Sequence, residues 1–159
     1  MVFVVGDVQI AAPVFLAPMS GVTDAPFRSE ADRFGATAVV TEMVAGAELA
    51  RETTEFVRRA APHNGSGPFI VQLAGREPHW MRTGAELATA AGGDIIDINM
   101  GCPAKRVTGG QSGCALMREP DLARQLIAAT VAGSTRPFAF TTPRTIACPV
   151  THWVRSSSG

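Results

Sequence analysis

An α/β fold with a parallel sheet is predicted for this 159-residue chain, and three observations carry the prediction. Short apolar runs rich in β-branched residues recur four times. A loop and then a stretch of helical periodicity follows each run. The runs and helices alternate at the spacing of strand–helix units rather than of hairpins. Four units in this order fit the amino-terminal half of a (β/α)8 barrel, necessarily incomplete, because a whole barrel needs about 250 residues. A doubly wound sheet fits the same pattern.

The first unit begins with Val14-Phe15-Leu16-Ala17, a buried parallel strand ending at Pro18. Thr23 or Asp24 can cap the next helix, with Pro26 tolerated in its first turn. That helix carries Phe27, Ala31 and Phe34 at helical spacing and stops near Gly35. Ala38-Val39-Val40-Thr41 is the second strand, and a helical stretch runs from about Ala45 to Ala60. Phe69-Ile70-Val71-Gln72-Leu73 is the third strand. The helix from Glu77 to Ala91 follows it, with Trp80, Leu87 and Ala91 on one face. Asp94 to Asn99 is the fourth strand. A long glycine-rich loop from Met100 to Gly113 leads to a helix that opens at Glu119-Pro120-Asp121 and runs to Val131.

Composition narrows the class. Apolar residues make up 46% of the chain and charged residues 18%, which is ordinary for a globular domain. The 14 basic and 14 acidic residues balance, and Lys105 is the only lysine, so no basic tail points to nucleic acid. Cys102, Cys114 and Cys148 form no Cys-x-x-Cys pair, and His63, His79 and His152 are scattered. Metal binding is therefore not expected. Sparse, odd-numbered cysteines suit a reducing cytoplasm. The first residues lack the basic and apolar regions of a signal peptide. No apolar run approaches the ~20 residues of a membrane span.

From Arg136 to Gly159 the character changes. There is no acidic residue, no clear period, and a scatter of proline, threonine and serine around Arg136, Arg144 and Arg155. A flexible tail is one reading. The other is out-of-frame peptide. Arginine-dominated basic residues with abundant alanine and glycine point to G+C-rich coding DNA, whose shifted frames meet few stop codons. The expectation adopted is a divergent, disordered or out-of-frame segment over 136–159.

If the strands are parallel, four loops converge at their carboxyl ends: Ala17 to Gly21, Thr41 to Val44, Gln72 to Gly75, and Asn99 to Lys105. They offer small residues, methionines for packing on a flat ring, and two amides that can donate and accept at a heteroaromatic edge. That set suits a flavin better than a nucleoside triphosphate, since neither a Walker A loop nor a Gly-x-Gly-x-x-Gly motif is present. Each element also has a plainer reading. Pro18-Met19 can simply end a strand, Gln72 can satisfy backbone, and Asn99 can hold its own loop as an Asx turn. Cys102 can be nucleophile, metal ligand, proton donor or a small buried residue, and Cys114 reads as buried. Glu42 is a base or a bonded loop carboxylate. Gly109-Gly110 is an anion loop or a turn, and Lys105-Arg106 a phosphate contact or a solvated pair.

Leu16-Ala17-Pro18-Met19-Ser20-Gly21-Val22-Thr23-Asp24-Ala25-Pro26-Phe27-Arg28 resembles the opening of the tRNA-dihydrouridine synthases. Thr41-Glu42-Met43, Val71 to Gly75, and Asp97-Ile98-Asn99-Met100-Gly101-Cys102-Pro103 continue the likeness in order. Lys105, Gly113 and Ala115-Leu116-Met117 extend it, most like the bacterial B-type branch, over roughly the first 135 residues. The resemblance implies a flavoprotein that reduces the C5=C6 bond of tRNA uridines, with FMN as cofactor and NADPH as reductant. It implies that Pro18, Met19 and Ser20 line FMN and that Gln72 bonds its ring edge. Asn99 would lie between flavin and uracil. The flavin would give hydride to C6, and Cys102, as general acid, a proton to C5. A thiol with pKa near ~8.5 is protonated at neutral pH, as an acid must be.

The resemblance also implies what is missing. Arg136 to Thr141 stands where the family's next strand carries a lysine, and no counterpart of the later strands, phosphate loops or helical domain follows. The expected organisation is a partial FMN-binding barrel over 1–135 and a divergent segment after it. By itself this chain is expected to bind FMN poorly or not at all and to be inactive or insoluble. The alternatives are a non-catalytic fragment or binding module, and another FMN barrel reducing a free pyrimidine.

Overall fold

The computed structural model describes residues 2–12, 14–51 and 54–142. A hairpin that the strand–helix pattern does not anticipate opens the chain. Strands β1 (Phe3–Val5) and β2 (Val8–Ile10) pair antiparallel across Gly6-Asp7. Gly6 has φ +61°, a turn conformation that glycine adopts without a Cβ penalty.

The main sheet is parallel. It comprises β3 (Val39–Val40), β4 (Val44–Ala45), β5 (Phe69–Ala74), β6 (Ile95–Asn99) and β7 (Phe138–Thr141). β3 and β4 pair in succession with β5, β5 pairs with β6, and β6 with β7. The expected strand at 14–17 is reduced to one parallel bridge, Leu16 to Val39, with the Leu16 N–H donating to Ala38 O at 2.9 Å. Pro18 cannot donate a backbone hydrogen bond, so it could not extend the ladder as a donor. The segment expected to diverge from residue 136 supplies β7. Arg144, Cys148, His152 and Arg155 lie outside the described residues.

Strand order follows chain order from Leu16 through β3, β5 and β6 to β7. A doubly wound sheet reverses its order at a switch point and carries helices on both faces. Here the helices α2 (Gly46–Ala50), α4 (Pro78–Ala90) and α6 (Pro120–Ala132) lie side by side. Val71, Leu73, Ile96 and Ile98 join their apolar cluster. The alternate residues Ile70 and Ile95 join Val40 and Ala139 under Val5 and Ile10 of the hairpin. Sequential order with helices on one face is an arc of barrel wall. Gly46 lets α2 meet α4, because a Cβ there would sit 2.3 Å from the Trp80 carbonyl oxygen.

Three helical expectations are corrected. The stretch from 45 to 60 is two helices, α2 and α3 (Thr54–Arg59), with residues 52–53 between them outside the described set. In α4 the buried residues are Met81, Gly84, Ala85 and Ala88; Trp80, Leu87 and Ala91 are only half-buried. In α1 (Ala25–Arg33) the apolar positions face out, with Phe27 40% and Phe34 82% exposed, whereas Arg28 is fully buried. Asp24 caps α1 by accepting from the Phe27 N–H at 3.0 Å, and Pro26 stands in the first turn, as expected. The loop after β6 holds a short helix, α5 (Lys105–Thr108), and a 3-10 segment from Gly113 to Arg118. Among the described residues no helix is long and apolar enough to cross a membrane.

Candidate active site

Parallel strands bring their carboxyl ends to one rim, and there the inner face turns from apolar to polar. Ile70 and Ile95 are register partners near the strand starts. Two residues on, Gln72 stands opposite Asp97, and Asn99 opposite Thr141. Alternation along a strand puts Asp97 and Asn99 on the same face.

These four side chains form one buried network. Asn99 Nδ2 donates to Gln72 Oε1 at 2.9 Å, and Gln72 Nε2 donates to Asp97 Oδ2 at 2.6 Å. Thr141 Oγ1 donates to the same Asp97 oxygen at 2.9 Å. Burial pushes the Asp97 carboxyl up to about 6, against the opposing pull of the Gln72 and Thr141 bonds. The Gln72 N–H donates to Thr41 Oγ1 at 3.0 Å, and that hydroxyl donates to the Glu42 carbonyl at 2.8 Å. The second loop is thereby tied to the third strand.

At the other end of the network, Asn99 Oδ1 accepts from the Gly101 N–H at 3.3 Å and the Cys102 N–H at 3.0 Å. Asn99 thus holds its own loop, and the loop carries Cys102 as a free, half-buried thiol. Cys114, expected to be buried, is half-buried too. Its N–H donates to the Cys102 carbonyl at 3.1 Å. Gly113 makes that approach feasible: it has φ +62°, and a Cβ there would lie 2.6 Å from Cys102 O. Arg76, just past β5, clamps the far side of the loop. Its guanidinium donates to both Glu119 oxygens at 2.6 and 2.7 Å and to Gln111 O at 3.2 Å. Gly109 and Gly110 form turns that close on α5 backbone, which is the plainer of their two readings. Lys105 is solvated, the plainer reading for that residue as well.

The first loop lies on the same rim. Pro18 is half-buried, while Met19 (39% exposed) and Ser20 are open to solvent. Thr23 closes the loop, its hydroxyl accepting from Met19 N–H at 3.1 Å and donating to Met19 O at 3.2 Å. Glu42 proves to be a loop tie: its Oε2 accepts from the Gly21 N–H at 2.7 Å and stands 3.9 Å from Arg59 Nε. Arg28 sits beneath the loop. It donates to the carbonyls of Thr23 (2.6 Å), Arg59 (3.5 Å) and Ala61, and lies 5.4 Å from the Phe69 ring centre. Burial lowers its pKa against the raising influence of Asp24 and Glu42.

The remaining hydrogen-bonding capacity defines what the site can hold. Among the described residues, Asn99 Oδ1 has both acceptor positions filled, but its Nδ2 keeps one N–H. Gln72 keeps one N–H and one acceptor position. Two amide donors and one acceptor, on a rim that also carries an exposed methionine, fit the edge and face of a heteroaromatic ring. Sequence reasoning places Asp97 and Thr41 inside its motifs but gives them no role, and it passes over Thr141 as a site residue. The signal for Asp97 was available: a carboxylate two residues before Asn99, inside an isoleucine run, must be buried on the same face.

A sequence model of the dihydrouridine synthase family matches residues 15–145, ten residues beyond the expected limit of the likeness. A probable tRNA-dihydrouridine synthase of Rhizobium leguminosarum bv. phaseoli is 63% identical over 118 residues, covering 74% of this chain and 37% of the relative. One from Rhodobacter capsulatus is 51% identical over 126 residues, covering 79% and 39%. tRNA-dihydrouridine synthase B of Pasteurella multocida is 39% identical over 133 residues, covering 84% and 40%. The chain therefore spans about two-fifths of the length of these curated relatives. Among solved structures, histamine dehydrogenase from Rhizobium sp. 4-9 superposes with a TM-score of 0.60 over 92% of this chain and 34% of its own. At 12% identity this likeness concerns the fold alone. With more than three-quarters of its residues inside the family match and the family's motifs gathered on one rim, the chain belongs to the dihydrouridine synthase family.

Proposed function

We propose that this chain supplies the first four strand-end loops of a flavin-dependent site that reduces uridine to 5,6-dihydrouridine in tRNA. The observation that carries the proposal is the Asn99–Gln72–Asp97 network, which leaves amide donors uncommitted beside the loop of a free thiol. FMN, reloaded by NADPH, supplies the hydride chemistry when bound. Pro18, Met19 and Ser20 line its ring, Gln72 bonds the ring edge, and Asn99 stands between ring and substrate base. Cys102 delivers the proton to C5 of the uracil, a role that commonly contributes ~10²–10⁴-fold. The target base leaves its stack to reach the rim, as base-modifying enzymes require. Later strands of the full-length relatives would complete the barrel, so turnover by this chain alone is expected to be weak or absent.

The experiment is an FMN titration of the 159-residue chain, followed by flavin fluorescence. Weak, saturable binding is expected. Gln72→Ala and Asn99→Ala should each weaken it about tenfold, and Cys102→Ala should leave it unchanged. Binding indifferent to both amides would defeat the flavin reading. Reduction of free uracil in preference to tRNA would instead favour a free-pyrimidine reductase.

A further inference from the structure

We propose that Asp97 is a positioning residue, fixing which way round the Gln72 amide stands and so what it presents to the ring and to Asn99 at the base of the Cys102 loop; this rests on the flavin-site reading above. An amide side chain can be turned end for end with little change in shape, so its orientation must come from its partners. Three partners here are single-valued. The ionised Asp97 carboxylate only accepts, so it demands the nitrogen of Gln72 at 2.6 Å. The backbone N–H groups of Gly101 and Cys102 only donate, so they demand the oxygen of Asn99. Gln72 Oε1 and Asn99 Nδ2 are then left facing each other as acceptor and donor at 2.9 Å. Turning Gln72 alone would set oxygen against carboxylate at one end and nitrogen against nitrogen at the other. Every bond in the chain runs the same way, donor to acceptor from the Cys102 backbone to Asp97, and bonds so aligned strengthen one another. Thr141 reinforces the anchor by donating to the same Asp97 oxygen.

Two substitutions separate orientation from mere support. Asp97→Asn keeps an oxygen that can accept both bonds. Asp97→Leu keeps the bulk without the acceptor. Where Asp97→Leu fails to fold, Asp97→Ser replaces it, since a hydroxyl donates as readily as it accepts and imposes no direction. The 159-residue chain is labelled with ¹⁵N, and the side-chain amide signals of Gln72 and Asn99 are read alongside FMN affinity and the alkylation rate of Cys102. Cys114 alkylation reports on overall folding. Asp97→Asn is expected to keep both amide signals and FMN affinity within about threefold of the parent. Asp97→Leu or Asp97→Ser should shift both signals, weaken FMN about tenfold and change Cys102 alkylation while Cys114 stays constant. Unchanged signals and affinity in a folded Asp97→Leu or Asp97→Ser protein would overturn the proposal. So would Asp97→Asn losing as much as Asp97→Leu, which would make charge rather than orientation the requirement. If the parent chain binds too little FMN to measure, the amide signals and Cys102 alkylation decide the role of Asp97; binding indifferent to Gln72→Ala and Asn99→Ala would defeat the flavin reading but not that role.

Discussion

Replacing Asp97 by asparagine is expected to stabilise the protein, by an amount that grows with pH. Asp97 is 4% exposed, and burial raises its carboxyl from 3.8 to about 6. The folded state therefore holds this proton more tightly than the unfolded chain does. Within that window the native state carries the extra proton, so its contribution to stability is greatest below the lower value. It falls as pH rises and is flat above the upper value. A gap of about two units corresponds to about 3 kcal/mol. Asparagine does not ionise, and its oxygen can accept the same bonds from Gln72 and Thr141. In urea unfolding, the variant-minus-parent difference should be small near about pH 4 and larger by roughly 2–3 kcal/mol near about pH 8. Groups common to both proteins cancel in that difference. A difference that stays flat across the range would refute the premise that burial governs this carboxyl. One that shrinks with rising pH would mean the hydrogen bonds outweigh the desolvation.

Arg28→Met should cost about 3 kcal/mol or more, read as a fall in Tm, because the carbonyls of Thr23, Arg59 and Ala61 lose their donor together; unchanged stability would show that those carbonyls find other partners. Gly113→Ala should cost about 2 kcal/mol and disturb Cys102 alkylation more than Cys114 alkylation, since the new methyl group meets Cys102 O at positive φ; a wild-type thiol profile would exclude this contact as the loop's support. His63 has a side chain 2% exposed, no hydrogen-bond partner for either ring nitrogen among the described residues, and a pKa lowered chiefly by burial. Its folded-state value lies below the unfolded 6.5, so stability present above that pH is lost as the pH falls through the lowered folded value. His63→Phe should flatten this acid limb, and an unaltered limb would place the loss elsewhere.

Much of this was legible in the chain because strand and helix periods differ. The runs at Val39-Val40, Phe69 to Leu73 and Ile95 to Asn99 became strands, and Pro78 to Ala90 became a helix, within a residue or two of expectation. The site motifs also came together as parallel strand ends require. What was not legible depends on contacts distant in sequence. The apolar spacing of Phe27, Ala31 and Phe34 suggested a buried face for α1, yet the helix turns Arg28 inward because Thr23, Arg59 and Ala61 offer it carbonyls. Those partners, two on loops and one at the last residue of α3, are distant contacts that periodicity does not register. The hairpin at Phe3 to Ile10 was overlooked for a similar reason: three-residue strands are too short to show alternation. Asn99 was given two competing readings, loop holder and ring neighbour. Its geometry supplies the first, since the oxygen holds the loop, and leaves one N–H uncommitted for the proposed second.

The inner face shows how these demands are reconciled. Near the strand starts, Val40, Ile70, Ile95 and Ala139 meet the hairpin and stabilise by burial, on the order of 1.5–3 kcal/mol for each larger side chain. At the strand ends the same face carries a carboxylate whose ionised form opposes folding. A neutral side chain at position 97 would relieve that opposition, and an asparagine could even keep the bonds. It would keep them only with its oxygen toward Gln72, whereas the carboxylate offers an acceptor whichever way it stands. A side chain without an acceptor would leave that Gln72 N–H unpaired. The carboxylate therefore exchanges stability for a single hydrogen-bond polarity running from the Cys102 loop to the sheet. The apolar rows beneath it make that exchange tolerable.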